Sequence, residues 1–516
     1  MTSTRRAPAR GGGTDTADRT PPAGVAPQVA HRPRRDAFVG TGTLVRLALR
    51  RDRLMLPIWL GVLFLFTIMS SLSVQNLFGS AASRSQLAGS AGATPATVAM
   101  YGPSWDVGTL GGLSTWKLNT MGAVLLALLS IFTVARHTRG DEEPGRLELI
   151  RAGVAGRYSA LTAGVLVALA ANVVSVPLVA LGLMAGSIDT GASFGYALAL
   201  ALVGVVFTGI AALTAQLTEG SRAGNGIAAG VLAVAFLLRA VGDTTSQVSF
   251  LDWLSPLGWL VRFRAFAPQP HWWLVVPPLL ATVALLAAGY LLAARRDLGA
   301  GLLPARLGRP AATRWLSGPF GLAWRLHRGT LIGWSVGFAV LGGALGSVSN
   351  ALDDFAASQG IRDMLTALGG QQGVIDSYLA FCMALAALVV AVYLIQALLR
   401  TRGEETAYRA EPVLATPVGR LRWAASHLTV VVLGAAWLLA LMGVFAALGR
   451  GGDDLGSQLG RLLGAAMAQL PAALVLAGIT VALIGVLPRW SVAAWGVLGL
   501  FVAIGQFGDL LQLDQT

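Results

Sequence analysis

Arg139-Gly-Asp-Glu-Glu-Pro-Gly-Arg-Leu-Glu-Leu-Ile-Arg-Ala-Gly-Val-Ala-Gly-Arg157 is a dense polar island between two long apolar runs. The same charge order returns without a gap as Arg402-Gly-Glu-Glu-Thr-Ala-Tyr-Arg-Ala-Glu-Pro-Val-Leu-Ala-Thr-Pro-Val-Gly-Arg420, an offset of 263 (402 minus 139). Arg139 falls on Arg402, Asp141 on Glu404, Glu142 on Glu405, Arg146 on Arg409, Glu148 on Glu411 and Gly156-Arg157 on Gly419-Arg420. An offset of about half the chain signals a duplicated unit rather than a solenoid of short repeats.

The apolar runs decide the class. The 516 residues are 55% hydrophobic and 12% charged, with a mean hydropathy of +0.66. A soluble domain carries roughly 25% charged residues, so the composition indicates an all-α multi-pass protein of the cell membrane. Lys+Arg number 38 against 25 Asp+Glu. These cations sit mostly between apolar runs, where they set topology. No basic face with interleaved aromatics stands outside those runs, so nucleic acid is not an expected partner. The single cysteine, Cys382, excludes an internal disulfide.

Residues 1–36, rich in Arg, Pro, Gly and Thr, read as a disordered basic tail. Arg46, Arg50 and Arg53 then recur at i, i+4, i+7 beside Leu44, Leu47 and Leu54, the pattern of a short helix lying in the membrane surface. Spans long enough for a ~30 Å core follow near 55–75, 118–136, 159–184, 194–217, 226–240, 273–294, 330–349, 376–399, 425–448, 463–487 and 491–508, about eleven in all. With the N-terminus cytoplasmic, about 30 of the 38 basic residues fall inside. Both islands are then cytoplasmic.

A second echo supports the duplication. Leu49-Arg50-Arg51-Asp52-Arg53 leads to Trp59, and Trp324-Arg325-Leu326-His327-Arg328 leads to Trp334 at the same spacing. The chain divides into a first transmembrane half at 37–294, a cytoplasmic linker at 295–318 and a second half at 319–516. The halves are parallel six-span repeats, the second lacking its last span: Gly508-Asp509 echoes Gly242-Asp243 shortly before Thr516. Outside, 76–116 reads as a Gly/Ser-rich loop. The segment 241–272, with Trp253-Leu-Ser-Pro-Leu-Gly-Trp259, reads as re-entrant or interfacial helices, or as a plain aromatic belt.

Each island suits a short capped helix parallel to the membrane. Asp141 or Glu142 can cap it and Pro144 fits its first turn. The Glu142–Arg146 pair adds only ~0.2–0.5 kcal/mol, too little to explain why the charge order persists in both copies. Two compatible readings remain: docking of a soluble partner, or an internal charge clamp against Arg46, Arg50, Arg325 or Arg328. No Walker A loop, no His-Glu-x-x-His and no cysteine pair occurs, so neither ATP hydrolysis nor a metal site is expected on this chain. No acid lies securely mid-span. Asn172, Gln396 and Gln469, deep in the runs, read as interhelical hydrogen-bond partners.

The island with its Gly-Arg ending, the Trp253–Trp259 segment, Arg295-Arg296-Asp297-Leu-Gly-Ala-Gly and the duplicated half together resemble the fused type-2 permeases of ABC-type multidrug exporters, the actinobacterial exporters of polyketide antibiotics such as tetronasin. The resemblance covers roughly 40–510. It implies a permease moving amphipathic drugs out of the cell with a separate cytoplasmic ATPase, in two copies, that carries the ATP and Mg; no cofactor is expected on the permease itself. It implies in-surface helices at Arg46, Arg50 and Arg53 and at Arg325 and Arg328. It also implies coupling helices at Glu142, Glu143, Arg146, Glu148 and Arg157, then at Glu404, Glu405, Arg409, Glu411 and Arg420. Membrane lipid and a small amphipathic substrate complete the expected partners. Thr406, Ala407 and Tyr408 replace Glu143, Pro144 and Gly145, so the two sites are expected to couple unequally. The alternatives are an ion-coupled carrier, also built of parallel halves, and a membrane enzyme acting on lipid-linked substrates.

Overall fold

The computed structural model describes residues 37–81, 84, 95–143, 145–148, 155–244, 246–297, 299–303, 311, 313–356, 370–451 and 455–507. The basic segment 1–36, linker residues 304–310 and the final stretch 508–516, with the readings placed on them, lie outside these residues. Among the described residues every regular element is helical. That follows from the apolar runs, because in lipid each backbone N–H and C=O must be satisfied within its own segment. Nine helices are long and apolar enough to cross a membrane, counted among the described residues. The chain is an all-α multi-pass membrane protein.

The first part of the chain forms α1 (Thr41–Arg51), α2 (Met55–Leu77), α3 (Pro95–Tyr101), α4 (Leu110–Trp116), α5 (Leu118–His137), α6 (Arg139–Glu142), α7 (Ser159–Met184), α8 (Thr190–Leu217), α9 (Ser221–Thr244), α10 (Pro256–Phe263) and α11 (Val276–Arg295). Its core closes around α8, whose Leu200, Phe207 and Ala212 are fully buried. After the linker come α12 (Pro319–Ala356), α13 (Gly370–Thr406), α14 (Glu411–Leu414), α15 (Arg420–Arg450), α16 (Leu455–Met467), α17 (Leu470–Val486) and α18 (Ala494–Phe507). A separate core gathers Phe338, Tyr393, Leu394, Leu438, Leu439 and Met442 from α12, α13 and α15.

Two of the three mid-span amides join helices as expected. Asn172 on α7 donates to Ser130 Oγ on α5 at 2.9 Å, and Gln396 on α13 accepts from Trp334 Nε1 on α12 at 3.0 Å. Gln469 instead sits at the N-cap of α17. There the expected span 463–487, which falls within the candidate span Leu455–Val486, has a local break: Pro471, in the first turn of α17, lacks the N–H that a continuous helix would need.

The structure departs from the sequence reading in two further places. The segment 76–116 is not a plain loop. Thr109 Oγ1 accepts from Gly112 N at 3.0 Å and starts α4, which is buried from Gly111 to Trp116. Gly112 carries no Cβ because one there would overlap the Asp106 carbonyl. The second difference lies at the start of the later part. α1 ends at Asp52 before α2 begins, whereas Arg325 and Arg328 lie inside α12, one helix of 38 residues, about 57 Å at 1.5 Å per residue. The in-surface helix expected there is therefore continuous with the span that follows it.

Both islands lie at one end of the helix bundle. Glu143 of the first touches the start of α9, and α9's first turn lines a cleft with Glu404 and Arg409 of the second. The Trp253–Trp259 segment lies at the other end. It folds into a 3-10 turn and α10, with Ser255 as N-cap and Arg264 closing α10 in a left-handed conformation (φ 50°).

Candidate functional site

In the first island the charges fasten helix ends. A helix leaves its last four carbonyls without intrahelical donors. Arg139, fully buried, reaches the end of α8, where its Nε donates to the Ala215 carbonyl, and its Nη2 donates to the Ala300 carbonyl at 3.0 Å. Arg157 Nη2 donates to the Ala294 carbonyl at 2.6 Å and the Ala293 carbonyl at 3.2 Å, closing the end of α11. Cationic groups belong at these negative helix poles. Glu143 Oε1 accepts from Ser221 N at the opposite, positive pole of α9.

Glu142 is the centre of this arrangement. Its carboxylate accepts from Arg139 Nη1 at 2.7 Å and from Arg296 at 2.7 and 3.0 Å, the second guanidinium gripping both oxygens. Arg296 Nε also donates to Gln216 Oε1 at 2.7 Å. Asp141 is held by Arg51 at 2.7 Å. The clamp reading thus holds for this island, but with Arg51, Arg139 and Arg296 as cations in place of Arg46, Arg50, Arg325 and Arg328. Arg46, Arg50 and Arg53 are exposed, without acidic partners among the described residues. Arg146 and Glu148 are the positions of the first island most open to a partner.

The second island keeps the left-handed turn of the first and, except at buried Glu404, exposes most of its charged side chains. Gly145 (φ 72°) and Tyr408 (φ 58°), equivalent at the 263 offset, both take the left-handed conformation. Glycine adopts it freely; tyrosine pays about 1–2 kcal/mol. Glu405, the counterpart of buried Glu142, is exposed and, among the described residues, pairs only with Arg402 at 3.1 Å. Glu404 pairs with Arg409 at 3.0 Å. Glu411 and Arg420 are exposed, and Tyr408 is 72% exposed. Because that side chain packs on little, Tyr408→Gly should raise the stability of the isolated permease by about 1 kcal/mol. A thermal midpoint that stays put or falls would show that the tyrosine supports the turn.

Asp52 and His327, matched by the second echo, are both buried, though against histidines at non-equivalent positions. Asp52 is fully buried against His137 and lies 3.2 Å from Arg136 Nε. His327, equally buried, places its Nε2 3.0 Å from His427 Nδ1, and its own Nδ1 has no partner among the described residues. A cleft of about 810 Å³ opens beside His327. It is lined by Arg222 and Asn225 of α9, Arg325 and Arg328 of α12, and Gln396, Arg400, Glu404 and Arg409 of α13 and the turn after it. Sequence reasoning named Arg325, Arg328, Glu404 and Arg409 but not Arg222, Arg400 or the histidine pair, which no local pattern connects.

At the opposite end Arg262 bonds Asp252 at 2.6 Å and stacks on Trp253 with its Cζ 4.6 Å from the ring centre. Arg264 bonds Asp106 at 2.7 Å, and that hydrogen bond raises the Arg264 pKa. Within α9, Arg239 is buried, 3.3 Å from Asp243, and donates to the Ala99 and Met100 carbonyls at 2.7 and 3.1 Å, pinning α3. These contacts position the end of the bundle away from the islands.

Residues 316–516 match the family model described as the C-terminal domain of the multidrug efflux system permease Rv1217c. Over 504 residues the chain is 40% identical to the multidrug efflux system permease protein Rv1217c of Mycobacterium tuberculosis, an alignment covering 96% of this chain and 90% of that protein.

Proposed function

The chain belongs to the family of multidrug efflux system permeases, and from that membership we propose that it is the membrane-spanning component of an ATP-driven ABC exporter. ATP and Mg bind to a separate cytoplasmic ATPase, in two copies, and the substrates are amphipathic compounds of the polyketide antibiotic kind. The N-terminus and both islands face the cytoplasm. The halves 37–294 and 319–516, joined by 295–318, alternate between inward-open and outward-open states as the ATPase binds and releases.

The observation that carries this reading is the openness of the second island. Glu405, Tyr408, Arg409 and Glu411 form an exposed, charged and partly aromatic surface on a short turn-and-helix module. The apolar Leu421, 88% exposed at the start of α15, lies close along the chain. Such a surface can bind a soluble partner, and its strained tyrosine fits the tendency of backbone strain to collect at functional sites. The first island contributes only the residues its clamp leaves outward, so the two sites couple unequally.

The test replaces two exposed acids. Glu405→Arg with Glu411→Arg should leave the purified permease as stable as wild type, since exposed pairs are worth ~0–1 kcal/mol. The same variant should lose the co-purifying ATPase and all ATP-dependent efflux from reconstituted vesicles. Retained co-purification together with full efflux would refute docking through this island.

A further inference from the structure

We propose that the cleft between α9, α12 and α13 binds the anionic head group, carboxylate or phosphate, of an amphiphile. Its lining brings five arginines, Arg222, Arg325, Arg328, Arg400 and Arg409, to face one carboxylate, Glu404. Glu404 is already engaged, at 3.0 Å by Arg409 and 3.9 Å by Arg400. Among the described residues Arg222, Arg325 and Arg328 have no acidic partner. This contrasts with the first island, where each buried arginine is matched by an acid or a helix terminus.

Unmatched like charges repel one another and favour an anion between them. Guanidinium groups grip carboxylate and phosphate through paired N–H donors. His327, 1% exposed, also lines the cleft. Its Nδ1 has no partner among the described residues but is shut off from the cleft, so the guanidinium groups supply the donors.

The volume, about 810 Å³, lies within the roughly 300–1,000 Å³ of small-molecule sites. Gln396, which lines the cleft, is bonded to Trp334, and the apolar faces of α12 and α13 continue from there into the span region. A head group held by the arginines would leave its tail along these helices. The site therefore selects molecules with a negative head and an apolar tail. Membrane phospholipid and exported cargo both offer that chemistry. The cargo arm rests on the reading of the chain as an exporter permease; the binding arm does not.

The test begins with the permease alone in nanodiscs of zwitterionic lipid. Laurate and dioctanoyl phosphatidylglycerol should bind, and dioctanoyl phosphatidylcholine should not. The Arg325→Gln/Arg328→Gln variant should bind the two anions about tenfold or more weakly. Since that variant could be misfolded, a second measurement uses wild type: added salt and inorganic phosphate should displace the anions. Anion binding that is insensitive both to phosphate and to the arginine substitutions overturns the proposal, as does equal binding of phosphatidylcholine. If neither anion binds and the variant instead sheds the ATPase, the cleft is a protein-docking surface and the proposal is likewise overturned. Two outcomes support it and separate the sources. ATP-dependent movement of laurate across vesicles containing the ATPase identifies cargo. Phosphatidylglycerol that stays bound through turnover, with laurate not moved, identifies a resident lipid. Binding without any ATP-dependent transport would count against the exporter reading alone.

Discussion

Glu142→Ala is expected to destabilise the permease by about 3–5 kcal/mol, the range for removing one partner of a buried ion pair. Its carboxylate is 5% exposed and lies between the guanidinium groups of Arg139 and Arg296. Without it two cations face each other beneath the surface, and Arg139, itself 1% exposed, cannot swing out to water. The damage should spread along the contacts that this clamp organises. Arg139 holds the last turn of α8 at Ala215, and both arginines hold the Ala300 carbonyl. The linker segment that runs on to Leu302 and Leu303 bonds Gln216 and Leu217. The measurement is the thermal midpoint and the monodisperse fraction of purified protein. Glu405→Ala, at the equivalent position of the repeat, should change stability by less than ~1 kcal/mol because its pair is exposed. Equal losses at the two positions would mean that the clamp does not hold α8 and the linker segment in place.

That contrast shows where the sequence is legible and where it is not. The apolar runs specify helices locally, so spans near 55–75, 159–184 and 425–448 fall inside α2, α7 and α15. The repeat of the islands is likewise visible, even to the left-handed turn shared by Gly145 and Tyr408. What a run of charges cannot state is its partner. Glu142 meets Arg296 across 154 residues and Asp52 meets His137 across 85. Such pairs are fixed by how helices are threaded, a property of no single stretch. One residue type then serves opposite ends: Arg157 closes the end of α11, while Arg420, at the same place in the second island, begins α15. The cleft is less legible still. His327 and His427 lie 100 residues apart, and Arg222 comes from α9, in the earlier part of the chain. Only the fold, which sets the first turn of α9 across a cleft from α12 and α13, turns scattered cations into a single site.

Within one helix, glycines of identical chemistry should respond to substitution with opposite sign. Lipid tails are as apolar as leucine, so helices in a membrane gain little from hydrophobic burial against each other and associate through close packing. α12 and α15 are the most extensively packed helix pair, and their approach rests on missing side chains. A Cβ at Gly346 would overlap the Ala446 carbonyl, and one at Gly449 would overlap the Gly343 carbonyl. One at Gly342 would lie 2.7 Å from the Met442 carbonyl oxygen. Gly346→Leu must therefore push α15 away along its length, loosening Leu438, Leu439 and Met442 in the later core. Overpacking of this kind costs about 1–3 kcal/mol and occasionally more. The atoms that a side chain at 346 would meet are backbone, which cannot rotate aside as a side chain would. Gly337, two turns earlier and exposed, has open space where a Cβ would stand. Gly337→Ala should stabilise the protein by up to about 1 kcal/mol through helix propensity. Thermal midpoints of the two variants decide the matter: a fall at 346 with a rise at 337 is expected. A fall of similar size at both would show that α12 bends or turns over its length, so that Gly337 also meets a neighbour.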